Sequence, residues 1–446
     1  MTEETAGQGK AARGQLARIL GLGFGIAVIF GGTVGVGILR LPGTIAGQLG
    51  SVWLILLVWV LGGLYALLGA AQVAELGAAL PEAGGFYVYA KRAFGPAAGF
   101  ATGWADWLNN CAVVAYGAVA AGEYLTALLG WEGRWQVGVS LGLLGLFCGL
   151  HWFGLRLSSG VQKVTSSLTA ATFLVLAGAC FLHAGPTLAM QVGVRGTGSG
   201  LIAALVPLVA ALRAIVVTYD GWYEAIYFTE EDTDAAKHLP RAMIGGVLLV
   251  MGLYLLMNAA FLRVLSVAEL AGSKLAAADA AQRVLGAWSG SFVTVLSLLT
   301  LLSLMNAVLL GAPRILFAIG RDGLFAGAAK VGPGGTPRAA LVASAGLVAL
   351  FIVSGRFDDI IAVAAILVAA MYCVNYTAVF VLRLHEPEMA RPFRAWGYPW
   401  TTGLVLLGSL AFLIADVQED RVSAVRALVL LGVALPVYWW RGRVRN

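Results

Sequence analysis

Apolar residues in this chain come in long runs. They fall at about 18–48, 51–80, 95–129, 135–153, 158–184, 200–230, 240–265, 286–320, 339–354, 357–384, 399–417 and 423–440. About 20 consecutive apolar residues suffice for a helix to cross a bilayer. The pattern therefore predicts an all-α membrane protein with twelve transmembrane helices. The longest polar connectors, at about 185–199, 231–239, 266–285, 321–338 and 385–398, are too short to hold a soluble domain.

Two of the runs are interrupted near their centres. The first contains "FGGTVGVGILRLPG", residues 30–43, with Gly31, Gly32, Gly35 and Gly37 close together. A glycine inside a helix costs roughly 1 kcal/mol relative to alanine. The sixth contains "VVTYDGWYEAIYF", residues 216–228, with Asp220 and Gly221 in mid-run. Paired interruptions at corresponding places in two halves are the pattern of an inverted-repeat transporter. Each break frees backbone N–H and C=O groups, which must line a cavity or be covered by protein. Freed amides at the start of a half-helix suit a carboxylate, and freed carbonyls suit an ammonium or a cation. Taken alone, the glycines also fit close helix packing, since Gly31 and Gly35 are four apart.

Composition agrees with a lipid environment. The chain of 446 residues is 60% hydrophobic and 12% charged, against about 25% charged in soluble proteins. The net charge of +6 is spread between apolar runs, so no nucleic-acid partner is expected. Lys and Arg mark the cytoplasmic side of short loops. Lys91, Arg92, Lys163, Lys237, Arg241, Arg314, Arg321, Arg383 and Arg391 fall on one side if the N-terminus is cytoplasmic. With an even number of spans both termini are then cytoplasmic. The first 15 residues are polar and lack an apolar core before a small-residue motif, so no cleaved signal peptide is expected. Cys111, Cys148, Cys180 and Cys373 lie far apart inside apolar runs and read as buried reduced thiols.

Several stretches, in order, resemble the amino acid–polyamine–organocation superfamily of permeases, and its L-type-like branch in particular. They are "GGTVGVGILRLPG", "AELGAALPEAGGFYVYAKRAFGPAAGFATGW" (74–104), "TYDGWYEAIYFTEEDTDAAKHLP" (218–240), "NAVLLGAPRILFAIGRDGLF" (306–325), "TPRAAL" (336–341) and "RLHEPEMARPFRAWGYP" (383–399). The resemblance implies a five-plus-five inverted repeat, helices 1–5 in 18–184 and helices 6–10 in 200–384. Helices 11 and 12 (399–440) and cytoplasmic tails at 1–17 and 441–446 complete the expected organisation. It implies secondary transport of amino acids across the cytoplasmic membrane by alternating access, as an exchanger or a proton-coupled symporter. It also implies that amides near Val36, Gly37 and Ile38 hold the substrate carboxylate, and that carbonyls of Thr33, Val217, Thr218 and Asp220 hold its ammonium. Tyr219 or Trp222 would cover the side chain. Many members carry a lysine midway along span five; here Thr169 is expected at that position.

Ionisable groups inside a membrane mark function by default. Asp106 and Asn110, with Asn109, share a helix face in "GWADWLNN" and read as a polar wall or a hydrogen-bond network. Asp220 and Glu224 read as an attraction for a cation, a helix cap at Asp220, or a coupling site at Glu224. Thr169 with Ser303 could offer oxygens to a cation. Arg40 and Arg213 read as outer anchors for an acidic substrate or as partners of nearby acids. Glu230, Glu231, Asp232 and Asp234 read as a solvated loop. Arg321, Asp322 and Arg338 are expected to pair across spans near the inner gate. His151, His183, His238 and His385 do not have metal spacing, and no Gly-x-Ser-x-Gly or nucleotide loop is present. No enzyme, cofactor or metal is expected, and no protein partner is indicated. Small neutral amino acids are the first expectation for substrate, given the compact Gly-rich breaks. Cationic amines or polyamines come next, and an amine-permeable channel is the rival from another class.

Overall fold

The structure, a computed structural model, describes residues 16–183, 201–332 and 334–443. The tail at 1–15, the connector at 184–200 and the last three residues, all named above, lie outside the described residues. Helices α1 (Leu22–Thr33) and α2 (Gly37–Leu49) are two parts of one broken element, bent by 51°. They are followed by α3 (Val52–Ala79), α4 (Phe86–Phe94), α5 (Pro96–Leu128), α6 (Gln136–Trp152) and α7 (Leu155–Leu182). Next come α8 (Leu201–Thr218), a 3-10 helix over Glu224–Glu231, α9 (Ala235–Val264), α10 (Val267–Gly272) and α11 (Ala276–Leu285). The chain continues through α12 (Ser289–Arg321), α13 (Arg338–Ser354), α14 (Phe357–His385), α15 (Trp400–Glu419) and α16 (Arg421–Arg443).

Each predicted apolar run coincides with a helix or a broken helix. Among the described residues, eight helices are long and apolar enough to cross a membrane, and the bent α1–α2 pair makes a ninth. Helix α13 and the apolar part of α8 are shorter. A helix satisfies its backbone internally, which is why it is the form an apolar run takes in lipid. The runs missed α4, α10 and α11, short helices on the connectors. The signal for α10 was present: Ser266 and Glu269 form a reciprocal capping box.

Burial sorts the helices into layers. The span containing α12 is the most enclosed, with 72% of its apolar window buried, whereas α6 and α15 show 22%. Exposed Trp53, Leu57 and Leu64 on α3 and Leu404 and Leu407 on α15 give the outer face the apolar surface that lipid requires. α1, α3, α9 and α12 pack against the 3-10 helix that follows the second break. The start of α1 is tied to the end of the 3-10 helix by a short parallel bridge, Leu20 to Asp232, with Leu20 N–H donating to Glu231 O at 3.0 Å.

Candidate functional site

The first break spans Val34–Val36. Val34 N–H still closes the last turn of α1 on Phe30 O (2.8 Å). Among the described residues, the amides of Val36, Gly37 and Ile38 donate no hydrogen bond, and Val36 caps α2 without a side-chain bond. These are the orphan donors that any helix start presents. Gly37 packs against Thr218, whose Cγ2 would stand 2.9 Å from an added Cβ.

The second break spans Tyr219–Tyr223. Gly221 turns the chain with φ +100°, a conformation that favours glycine. A Cβ there would collide with Gly32 O. The two breaks therefore touch, backbone to backbone. The chain resumes as a 3-10 helix rather than an α-helix. Asp220 does not cap it: the cap position is Tyr223 and has no side-chain bond. Asp220 instead accepts from the Tyr372 hydroxyl on α14. The cap reading is corrected because the φ-positive turn at Gly221 separates Asp220 from the resumed helix.

Tyr254 of α9, which sequence reasoning passed over, joins the breaks. Its hydroxyl lies 3.1 Å from Thr33 O and 3.0 Å from Thr218 O. One phenolic proton serves two carbonyls. The only hint in the sequence was a lone phenol in mid-run, which must find a partner when buried. Tyr219 is buried against Trp59 and Tyr254 and donates to Trp59 O at 3.1 Å. Trp222 stacks on Tyr372, with ring centroids 5.5 Å apart. Both predicted covers are thus packed into the protein. A cavity of about 160 Å³ opens beside the second break, between α5, α8, α14 and α15. Of the predicted substrate residues, Val217 and Asp220 line it, together with Asn109, Tyr372, Tyr65 and Phe412.

Asp106 and Asn110 meet as expected. Asp106 Oδ1 accepts from Tyr227 Oη (2.7 Å) and Asn110 Nδ2 (3.0 Å), while Asp106 Oδ2 has no partner among the described residues. Asn109 turns toward the Tyr223 hydroxyl at 3.5 Å. Glu224 is buried between α1 and α12. Gly32 and Gly311 make the room, since a Cβ on Gly311 would stand 3.2 Å from Glu224 Oε2. That oxygen too lacks a partner among the described residues. Asp106 and Asp220 both lie within electrostatic reach of Glu224, and none of the three forms an ion pair among the described residues.

Thr169 and Ser303 share no hydrogen bond among the described residues. The Thr169 hydroxyl is buried without a partner, and Ser303 bonds to Gln162, Ser166 and Thr165 on the preceding two turns of α7. No cluster of metal-ligand side chains occurs among the described residues.

Toward the far end of α8, Arg213 pairs with Asp416 and Glu419 on α15, so it takes the pairing role. At the other end the acidic run 230–234 is not simply solvated. Glu231 is fully buried in an ion pair with Arg314 of α12, and Arg314 lies 4.6 Å over the Phe228 ring. Glu230 pairs with Arg321, Asp322 with Lys91 (2.6 Å), and Arg338 lies over Trp152. The expected cross-span pairing thus acquires partners. Glu75, given no role from sequence, is buried against Arg383 and Arg391 and accepts from Ala395 N–H (2.7 Å). These ion pairs lie beside a second cavity, of about 350 Å³, lined by Glu82, Lys91, Arg321 and Asp322.

An all-helical, lipid-exposed chain whose two broken segments share a central polar site is a membrane transport protein in form. The family model described as amino acid permease matches residues 25–426, and the chain belongs to that family. It is 26% identical to the serine/threonine exchanger SteT of Bacillus subtilis over 438 residues, covering 95% of this chain and 97% of that protein. It is 26% identical to the b(0,+)-type amino acid transporter 1 of Mus musculus, covering 91% of this chain and 84% of that one. The Asc-type amino acid transporter 1 of Mus musculus is also 26% identical, at 96% and 82% coverage. The family and these relatives are transporters, not enzymes.

Proposed function

We propose that the protein moves amino acids across the plasma membrane by alternating access, exchanging one for another. The observation that carries this reading is the meeting of the two breaks at Tyr254, beside unbonded amides at Val36, Gly37 and Ile38. In this reading those amides hold the carboxylate. Carbonyls of Thr33, Val217, Thr218 and Asp220 receive the ammonium, competing with the Tyr254 hydroxyl. The side chain extends past Tyr219 and Trp222 toward the cavity lined by Val217 and Asp220. The name of the serine/threonine exchanger favours small neutral substrates.

The fold in this reading has twelve spans. The bent α1–α2 pair, α8 with the 3-10 helix, α13 and α16 join the long helices. Helices of 18–184 and 200–384 form the inverted five-plus-five repeat, and both termini are cytoplasmic. The ion pairs of Glu231, Asp322, Arg321 and Glu75 then lie on the cytoplasmic side, and the cavity beside the second break faces outward.

A second reading rests on the buried acids. Among the described residues Asp106, Asp220 and Glu224 have no cationic partner, and such groups attract a proton or a cationic amine. Glu224 is the coupling candidate, with Asp106, Asn110 and Thr169 as polar lining. Proteoliposomes loaded with serine test both readings. Uptake of labelled serine that needs internal serine supports exchange; uptake driven by an inward proton gradient and lost in Glu224→Gln supports coupling. Competition by lysine or putrescine, but not by serine, favours the cationic reading. Single-channel currents without counterflow would replace transport by a channel.

A further inference from the structure

A groove between three helices opens on the face of the protein that meets lipid. Its floor is Ala259 and Leu262 of α9, one wall is Trp53 and Leu56 of α3, and the other is Phe181 of α7. Arg263, in the last turn of α9, stands at its edge. The groove has a volume of about 260 Å³. α9 packs against both α3 and α7, and Leu57, Leu182 and Leu248 on the three helices are exposed. A surface of this kind is stable against hydrocarbon and not against water.

Its depth follows from the helix ends. α3 starts at Val52, α7 ends at Leu182 and α9 ends at Val264. The groove therefore lies at one end of three spans, where hydrocarbon gives way to head groups. Trp53 and Arg263 suit that level. An indole anchors at the interface, and an arginine lays its stem along apolar surface while its guanidinium stays among head groups. Deeper in the bilayer the same face of α9 carries Gly252, seven residues before Ala259 and about 10 Å away along the axis. A Cβ there would meet no atom within 4 Å, so small residues leave room along the helix.

Apolar surface alone selects no particular lipid, because one tail is as apolar as another. Selection comes from shape and from charge at the mouth. Next to Arg263, Arg283 donates to Val264 O (3.3 Å) and pairs with Glu269. These three side chains together carry net positive charge. A guanidinium binds phosphate oxygens through two parallel N–H bonds. We propose that the groove holds one anionic glycerophospholipid, with an acyl chain between Trp53, Phe181 and Ala259 and its phosphate at Arg263. Charge complementarity selects this occupant over a zwitterionic lipid or a sterol, neither of which brings net negative charge. The bound lipid braces α9 against α3 and α7.

Purified protein is titrated with phosphatidylglycerol and with phosphatidylcholine. Bound lipid is counted by native mass spectrometry, and melting temperature is read at each step. The wild type is expected to take up one phosphatidylglycerol at about tenfold lower concentration than phosphatidylcholine, and to melt several degrees higher with it. Arg263→Gln is expected to bind the two lipids alike within twofold, and Arg263→Lys to keep most of the preference. Ala259→Phe fills the floor and is expected to abolish the tight site. Leu56→Phe narrows the groove from the α3 wall and decides the same point if Ala259→Phe does not fold. Equal affinity of the wild type for the two lipids overturns the proposal. So does an Arg263→Gln variant that keeps the preference, a filled groove that still takes up phosphatidylglycerol as the wild type does, or cholesterol displacing that lipid at equal concentration. Neither readout requires transport, so failure of the transport reading leaves this test intact.

Discussion

Gly32 and Glu224 are packed so closely that a methyl group on the glycine would stand 2.6 Å from Glu224 Cγ. The last turn of the first half-helix and the first residue of the resumed sixth element are therefore fitted to each other. Gly35, three residues on, has no atom within 4 Å of an added Cβ. Gly32→Ala is expected to lower serine exchange by at least tenfold, and Gly35→Ala by less than threefold. Equal losses in the two variants, measured in the same vesicles, would show that glycine content rather than this contact matters.

Tyr254 makes the second link between the breaks. In Tyr254→Phe the ring remains, and two buried carbonyls lose their shared donor. A buried group left unsatisfied costs about 1–3 kcal/mol. The variant is expected to melt several degrees lower and to show an altered serine KM, because the same carbonyls are offered to the substrate ammonium. An unchanged KM with a lowered melting temperature would confine Tyr254 to stability.

The Glu231–Arg314 pair is the most deeply buried ion pair among the described residues. Breaking such a pair by removing one partner costs about 3–5 kcal/mol, whereas replacing both with apolar groups is often neutral. Glu231→Leu and Arg314→Met are each expected to destabilise the fold strongly. The double variant Glu231→Leu, Arg314→Met is expected to recover most of the loss. A double-mutant cycle by thermal unfolding in detergent measures the coupling.

Glu269 gives a pH signature outside the membrane-spanning segments. Its carboxyl is pushed down to about 2, first by the Ser266 backbone N–H and then by Arg283. A depressed carboxyl contributes stability that is full above its unfolded value, near 4.3. This contribution fades as pH falls toward 2. The group is about half exposed, so its ion pair with Arg283 adds little, and the capping box supplies most of about 1 kcal/mol. Glu269→Gln is expected to lower the melting temperature slightly at pH 7, and the gap to the wild type is expected to narrow below pH 4.

Apolar runs and paired interruptions were readable from residue order alone, since helix length and backbone breakage in lipid are local matters. The run 18–48 and its break at Val34–Val36 show this. The orphan amides of Gly37 and Ile38 follow from the same local rule. The partners were another matter. Tyr254 bonds Thr33, 221 residues away, and Glu75 meets Arg383 across 308 residues; periodicity carries no information about either.

The four glycines divide along the same line. Their excess in an apolar run announced a break, which the chain order could express because a helix interior disfavours glycine wherever it packs. What each one does depended on neighbours brought in by folding. Gly31 admits the Gln162 amide, Gly32 admits Glu224, Gly37 lies on Thr218, and Gly35 faces open space. The same holds for charge: Glu231 looked solvated among its acidic neighbours until Arg314 of α12 was placed beside it. Local backbone preference is written in the sequence. The identity of a buried contact is settled by packing, where two distant segments must share one volume and satisfy each other's polar groups.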